Sequence, residues 1–213
     1  MNIALRQKST PVQGVEHVNA PEGLGVFHRS DVAAVVWNRA PKAAFLDWIN
    51  ELPVDQLPTA RVILRAEQVR ETVLQLCEMA GTPDCAERAM LIDDIAAMAG
   101  IFGDLMGSEF LRLRLDAVTT NACRKFHMDA MVARLVCTYR GDGTEYGNAE
   151  IGGDPEVIQA VGTGSPIFLR GSLWEHNTSP TLLHRSPPIE GTGQTRLVLV
   201  LDPVAEEVER VLH

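Results

Sequence analysis

The chain has 213 residues, of which 46% are apolar and 22% charged, and a formal net charge of −9. That composition suits a chain that buries a real core and excludes disorder or a fibrous repeat. The acidic balance argues against a nucleic-acid surface, which needs a stripe of Lys and Arg to neutralise phosphates. No apolar run approaches the roughly 20 residues that span a bilayer. The N-terminal MNIALRQKSTPVQG also lacks the apolar centre of a signal peptide, so a cytoplasmic protein without membrane or nucleic-acid partners is expected.

In chain order, Val32–Trp37 is an apolar, β-branched run that predicts a strand, and Pro41 then opens a helix with Phe45, Trp48, Ile49 and Leu52 at helical spacing. The stretch from Arg61 to Ala80 places Val62, Val69, Val73 and Leu76 on one face, which predicts an amphipathic helix ended by Gly81-Thr82-Pro83. Asp84 and Glu87 have capping-box spacing before a second helix, AMLIDDIAAMAGIFGDLM, in which Gly100 is a weak point. After Gly107 the character changes. Short β-like stretches (FLRLRLDAV, ARLVCTY, SPIFLR, TRLVLVLD) alternate with Gly, Asp, Asn and Pro clusters until a helical VAEEVERVL at the end. Helices first and strands later predict an α+β protein of one domain. Residues up to about 106 form a mixed strand and helical support, and residues from about 107 form a β-sandwich or jelly roll braced on one face by the helices.

The chemistry concentrates in the second half. In Phe126-His127-Met128-Asp129, strand alternation would point His127 and Asp129 to one face at the mouth of the ARLVCTY strand, where they can share an ion. His184, shortly before the TRLVLVLD strand, completes a His, carboxylate, His set that leaves one face of a metal open. His176 is the less attractive ligand and reads as a surface residue. Arg196 shares its strand face with Val198 and Val200, opposite Leu197, Leu199 and Leu201; if that face is interior, the cation needs a partner. A dicarboxylate ligand fits the guanidinium fork, and an internal pair with Asp202 or Glu190 is the alternative. Tyr139 and Ser186 are candidate hydroxyl donors to the same carboxylate, although Tyr139 has the opposite strand parity from Arg134 and Thr138. Arg134 either binds substrate or pairs with Asp129, and Glu145 and Tyr146 in the RGDGTEY turn are candidate substrate contacts. The four cysteines, Cys77, Cys85, Cys123 and Cys137, form no CxxC pair and read as small buried hydrophobes, with Cys123 as an outside candidate for a soft ligand. Neither GxGxxG, GxxxxGK[ST] nor GxSxG is present.

The segments FHMD, TYRGDGTE and LLHRSPPIEGTGQTR, in that order, resemble the Fe(II)/2-oxoglutarate-dependent dioxygenases, especially their prolyl-hydroxylase-like branch, over the C-terminal half. The strings CRKFHMD, LVCTYRGDGTEY, LLHRSPP and RLVLVLDP resemble a bacterial family known as domain of unknown function family 1826 over most of the chain. The first resemblance implies a cupin-like double-stranded β-helix in which His127, Asp129 and His184 hold Fe(II) and Arg196 grips the far carboxylate of 2-oxoglutarate. It also implies oxygen-dependent hydroxylation of a substrate, small molecule or protein, that the sequence does not identify. Two other readings stay open. One is a cupin-like protein that binds zinc or another metal for sensing, storage or hydrolysis; the other is an interaction protein in which the three residues are buried polar groups.

Overall fold

The computed structural model describes residues 11–150, 152–175 and 181–204, so His176 and nearly all of the expected C-terminal helix lie outside the described residues. The strands are β1 (Val15–Val18), β2 (Ala34–Trp37), β3 (Ala60–Arg65), β4 (Phe110–Val118), β5 (Ala133–Arg140), β6 (Glu145–Asn148), β7 (Gln159–Ala160), β8 (Pro166–Arg170), β9 (Leu182–Arg185) and β10 (Arg196–Pro203). Among the described residues three α-helices, α1 (Ala43–Glu51), α2 (Val69–Met79) and α3 (Ala86–Met106), precede the main run of strands. Among the described residues no helix is long and apolar enough to cross a membrane.

Seven strands form one sheet in the order β1-β2-β8-β5-β10-β4-β3, and three form a second in the order β7-β6-β9. Among the described residues only the β1–β2 pair is parallel. The period-two alternation of the central strands divides the large sheet into two faces. Leu111, Leu113 and Leu115 of β4 and Leu197, Leu199 and Leu201 of β10 turn toward the helices, where they meet Ile95, Met98 and Phe102 of α3. Val136 of β5 and Val198 and Val200 of β10 turn the other way and pack with Tyr146 and Leu182 of the small sheet. The molecule is therefore layered as helices, large sheet, small sheet, with the helices bracing one face as the sequence suggests.

Two local expectations are corrected. Ala60–Arg65 is strand β3 rather than the start of the α2 helix, because Val62-Ile63-Leu64 pairs with β4 in register (Val62 with Leu113, Leu64 with Leu111). Val62 therefore leaves the helical face assigned to it: tertiary pairing of a β-branched run overrides helical periodicity over so short a stretch. Asp84 does not cap α3, whose N-cap residue is Cys85 without a side-chain hydrogen bond. Its carboxylate instead accepts from Arg88 Nη2 at 2.5 Å. Gly100 lies inside α3 without interrupting it, and Gly107 ends the helix at φ 60°, a left-handed angle that suits glycine.

Candidate metal centre

His184 lies on β9, and its backbone exchanges two 3.0 Å hydrogen bonds with that of His127, a single bridge that carries the small sheet one chain further. Residues opposed in this way place their side chains on one side, and the two imidazole centroids are 4.6 Å apart. Asp129 does not follow His127 along a strand, as alternation would have it. It sits in a loop tied to the end of β8 by Ser172 N donating to Asp129 O at 2.9 Å. Gly171 makes that approach possible: a Cβ there would run into the carbonyls of Met131 and Asp129.

The three side chains converge. One donor atom from each of His127, Asp129 and His184 lies within 4.8 Å of the others. His127 Nε2 is 3.6 Å from Asp129 Oδ1, and His184 Nε2 is 3.2 Å from Asp129 Oδ2. His127 Nδ1 lies 2.8 Å from the Lys125 carbonyl, which can only accept, so Nδ1 carries a proton and Nε2 is the ring nitrogen directed into the centre. Burial pushes the Asp129 carboxyl up, but hydrogen bonds with both histidines and the charge of Arg134 outweigh it and hold the group well below the usual carboxylate range. The hydrogen bond with Asp129 raises His127, whereas burial lowers His184. Arg134 donates from Nη1 to Asp129 at 2.8 Å and from Nε and Nη2 to Asp202 at 2.7 and 2.9 Å. Its guanidinium is thus committed to two carboxylates, so it orients Asp129 and is not a free substrate contact.

Arg196 is only 1% exposed. Its Nε donates to the Asp142 carbonyl at 2.7 Å and its Nη2 to Thr138 Oγ1 at 3.2 Å. Among the described residues it has no ion pair, since Asp202 is taken by Arg134 and Glu190 accepts from Asn121 at 2.8 Å. Burial lowers its pKa to about 10, with only partial relief from the charges of Asp142 and Glu145. It is charged at neutral pH all the same, and a buried unpaired cation is costly. Gly141, at φ 78°, makes room for it: a Cβ at that position would come within 2.9 Å of Arg196 Cγ. A cavity of about 120 Å³ connects Arg196 with His127, His184 and Ser186.

The sequence pattern of the family described as protein of unknown function (DUF1826) matches residues 19–202. The chain belongs to that family. No curated protein matches it in sequence. Among solved structures, the DUF1826 chain is similar to the dioxygenase for auxin oxidation 1 from Arabidopsis thaliana in its 2-oxoglutarate binary complex. The TM-score is 0.54 at 10% identity, over 90% of this chain and 92% of that one. The dioxygenase for auxin oxidation of rice gives a TM-score of 0.47 at 12% identity, over 90% and 82% of the two chains. A Pseudomonas putida prolyl-4-hydroxylase gives 0.33 at 16% identity, over 78% and 95%. The Arabidopsis likeness shows a shared fold.

Several side chains of this DUF1826 protein stand elsewhere than its sequence suggests. Tyr139 faces the helices, not the cavity: its hydroxyl donates to Asp94 Oδ2 at 2.7 Å, and its ring meets the Phe45 ring at a centroid distance of 6.4 Å. Strand parity decides this, and Thr138, one residue earlier, supplies the hydroxyl beside Arg196. Ser186 does line the cavity, with its backbone N–H tied to Cys123 O at 2.9 Å. Glu145 accepts from Arg185 Nε at 2.6 Å and is used in that pair. Tyr146 is buried between the sheets, donating to Gln159 Oε1 at 2.9 Å, so it offers no surface to a substrate.

Cys77 and Cys137 are buried as expected, but Cys123 is exposed at the cavity edge and outside the converging trio. Burial pushes the Cys137 thiol up to about 12, which makes it unreactive. A maleimide is therefore expected to label Cys123 in the native protein and to reach Cys77 and Cys137 only on unfolding. Cys123→Ser should keep the metal content of the wild type, as measured by elemental analysis; an empty site in that variant would redraw the ligand set.

Proposed function

We propose that this protein is a non-haem Fe(II)/2-oxoglutarate-dependent oxygenase that hydroxylates its substrate, on a double-stranded β-helix core that begins near residue 107. The observation that carries the reading is Arg196, a buried guanidinium without a carboxylate partner among the described residues, across a small cavity from a His, Asp, His cluster. Two imidazoles and one carboxylate fit a ferrous ion and leave coordination positions open. Bound there, ferrous iron and 2-oxoglutarate would supply the oxidising power of dioxygen, one oxygen atom entering the substrate while the oxo acid leaves as succinate and carbon dioxide.

The protein's own groups then have distinct tasks. Arg196 binds the distal carboxylate of 2-oxoglutarate, and Thr138, on the same strand face, adds a hydroxyl donor to it. Ser186 is the second hydroxyl at that cavity. Val136, Val198 and Val200 form an apolar wall that keeps water from the co-substrate. Arg134, anchored by Asp202, holds the Asp129 carboxylate toward the two imidazoles.

The test is to load the purified protein with Fe(II) without oxygen, add 2-oxoglutarate, admit oxygen and follow succinate. Slow oxygen-dependent succinate formation, stopped by Asp129→Ala, is expected even without the primary substrate. A protein that holds zinc, rejects ferrous iron and neither binds nor consumes 2-oxoglutarate would instead be a metal-binding protein without oxygenase chemistry.

A further inference from the structure

Beyond the metal centre, the far end of the same sheet face carries an unusual charge. Arg61 of β3, Arg112 and Arg114 of β4 and Arg134 of β5 line a cavity of about 430 Å³ in which, among the described residues, Asp202 is the one acid. That volume falls within the roughly 300–1,000 Å³ of small-molecule sites. Asp202 is already held by both Nε and Nη2 of Arg134. Among the described residues, Arg61, Arg112 and Arg114 make no ion pair, in a chain whose net charge is −9.

The register sharpens this. Arg61 stands directly opposite Arg114 in the antiparallel β3–β4 pair, and Val200 occupies the next position across on β10. Like charges directly opposite one another destabilise a sheet. Arg114 suffers twice, because its Nε is also buried without a hydrogen-bond partner among the described residues. Burial lowers its pKa, the nearby charge of Arg134 acts in the same direction, Asp202 and Asp116 partly offset this, and Arg61 adds the smallest contribution, again downward. Such an arrangement is relieved by an anion seated between the guanidiniums.

The cavity is also in the right place. Arg114 and Arg134 line both this space and the smaller one that joins His127, His184 and Arg196. The small cavity accounts for 2-oxoglutarate, which leaves the larger one for the molecule to be oxidised. We infer that the primary substrate is an organic oxyanion, a phosphate or carboxylate, whose charged group lies between Arg61 and Arg114 while its remainder points toward the metal centre. The assignment of this cavity to the substrate rests on the oxygenase reading; the anion site itself does not.

The test titrates phenyl phosphate into protein loaded with Mn(II) and 2-oxoglutarate, at constant ionic strength, with heat as the readout and phenol as the neutral control. Phenyl phosphate should bind and phenol should not. Arg61→Gln and Arg114→Gln should each weaken binding about tenfold or more, and Arg61→Gln, which lines only the larger cavity, should leave 2-oxoglutarate affinity unchanged. Benzoate in a parallel titration distinguishes carboxylate from phosphate as the preferred group. Thermal melts guard against misfolding: Arg114→Gln removes a like-charge contact and should melt no earlier than wild type. Phenyl phosphate that binds no better than phenol, or equally well to wild type and both variants, would overturn the anion site even if 2-oxoglutarate binds normally. Arginine-dependent phenyl phosphate binding in a protein that takes up no 2-oxoglutarate would uphold the anion site and refute the oxygenase reading alone.

Discussion

Arg196→Ala is expected to bind 2-oxoglutarate at least about a hundredfold more weakly than wild type while its metal content stays the same. Charge-assisted hydrogen bonds are each worth about 1.5–3 kcal/mol, and a guanidinium grips a carboxylate through two of them. Arg196 touches none of the three converging side chains, so the metal should not respond. Its pKa, lowered by burial only to about 10, leaves it charged throughout the neutral range. Arg196→Lys should recover part of the affinity, because lysine keeps the charge and loses the planar fork. Melts separate this role from a structural one. Among the described residues no carboxylate pairs with the buried charge at this position, so removing it relieves a desolvation cost that offsets the two lost hydrogen bonds. Calorimetry with the metal-loaded protein gives the affinity. Should wild type bind no oxo acid and Arg196→Ala simply melt much earlier, Arg196 is a structural residue and the oxygenase reading fails with it.

The layering of this fold was legible in the sequence because it rests on short-range periodicity. Alternation in TRLVLVLD separates Leu197, Leu199 and Leu201 from Arg196, Val198 and Val200, and these two sets do enter different cores. The same rule places Thr138 rather than Tyr139 beside Arg196, so the Tyr139 expectation failed by setting parity aside in favour of a familiar hydroxyl donor. Convergence of His127, Asp129 and His184 could be anticipated from residue type and order. Its means could not, since it depends on a bridge between residues 57 positions apart (184 − 127) and on a loop seated against Gly171. Strand β3 was hidden for a similar reason. Val62-Ile63-Leu64 adjoins a true helix, and only its pairing with β4 shows where one ends and the other begins. That strand underlies the proposed anion site, because the Arg61–Arg114 opposition exists only once β3 is a strand.

Asp129→Ala should reduce bound metal to background, a larger effect than loss of either histidine, since Asp129 is the one anionic donor and the hub of the local hydrogen bonds. Its carboxylate meets His127 Nε2 at 3.6 Å, His184 Nε2 at 3.2 Å and Arg134 Nη1 at 2.8 Å. Removing it takes a negative charge from beside Arg134, but Asp202 keeps its two contacts with that guanidinium, so no cation is stranded. The cost to the folded protein should therefore stay near that of a single charged hydrogen bond, about 1–3 kcal/mol. The far-ultraviolet helical signal should be unchanged, because α2 and α3 lie on the other face of the large sheet. Asp129→Asn offers a sharper comparison. It preserves shape and an acceptor oxygen, so it should melt closer to wild type than Asp129→Ala and still lose most of the metal, because a neutral amide is a far poorer ligand than a carboxylate. Elemental analysis after anaerobic Fe(II) loading, paired with circular dichroism melts, measures both effects. Full metal retention in Asp129→Ala and in His127→Ala would place any metal of this protein outside the cluster.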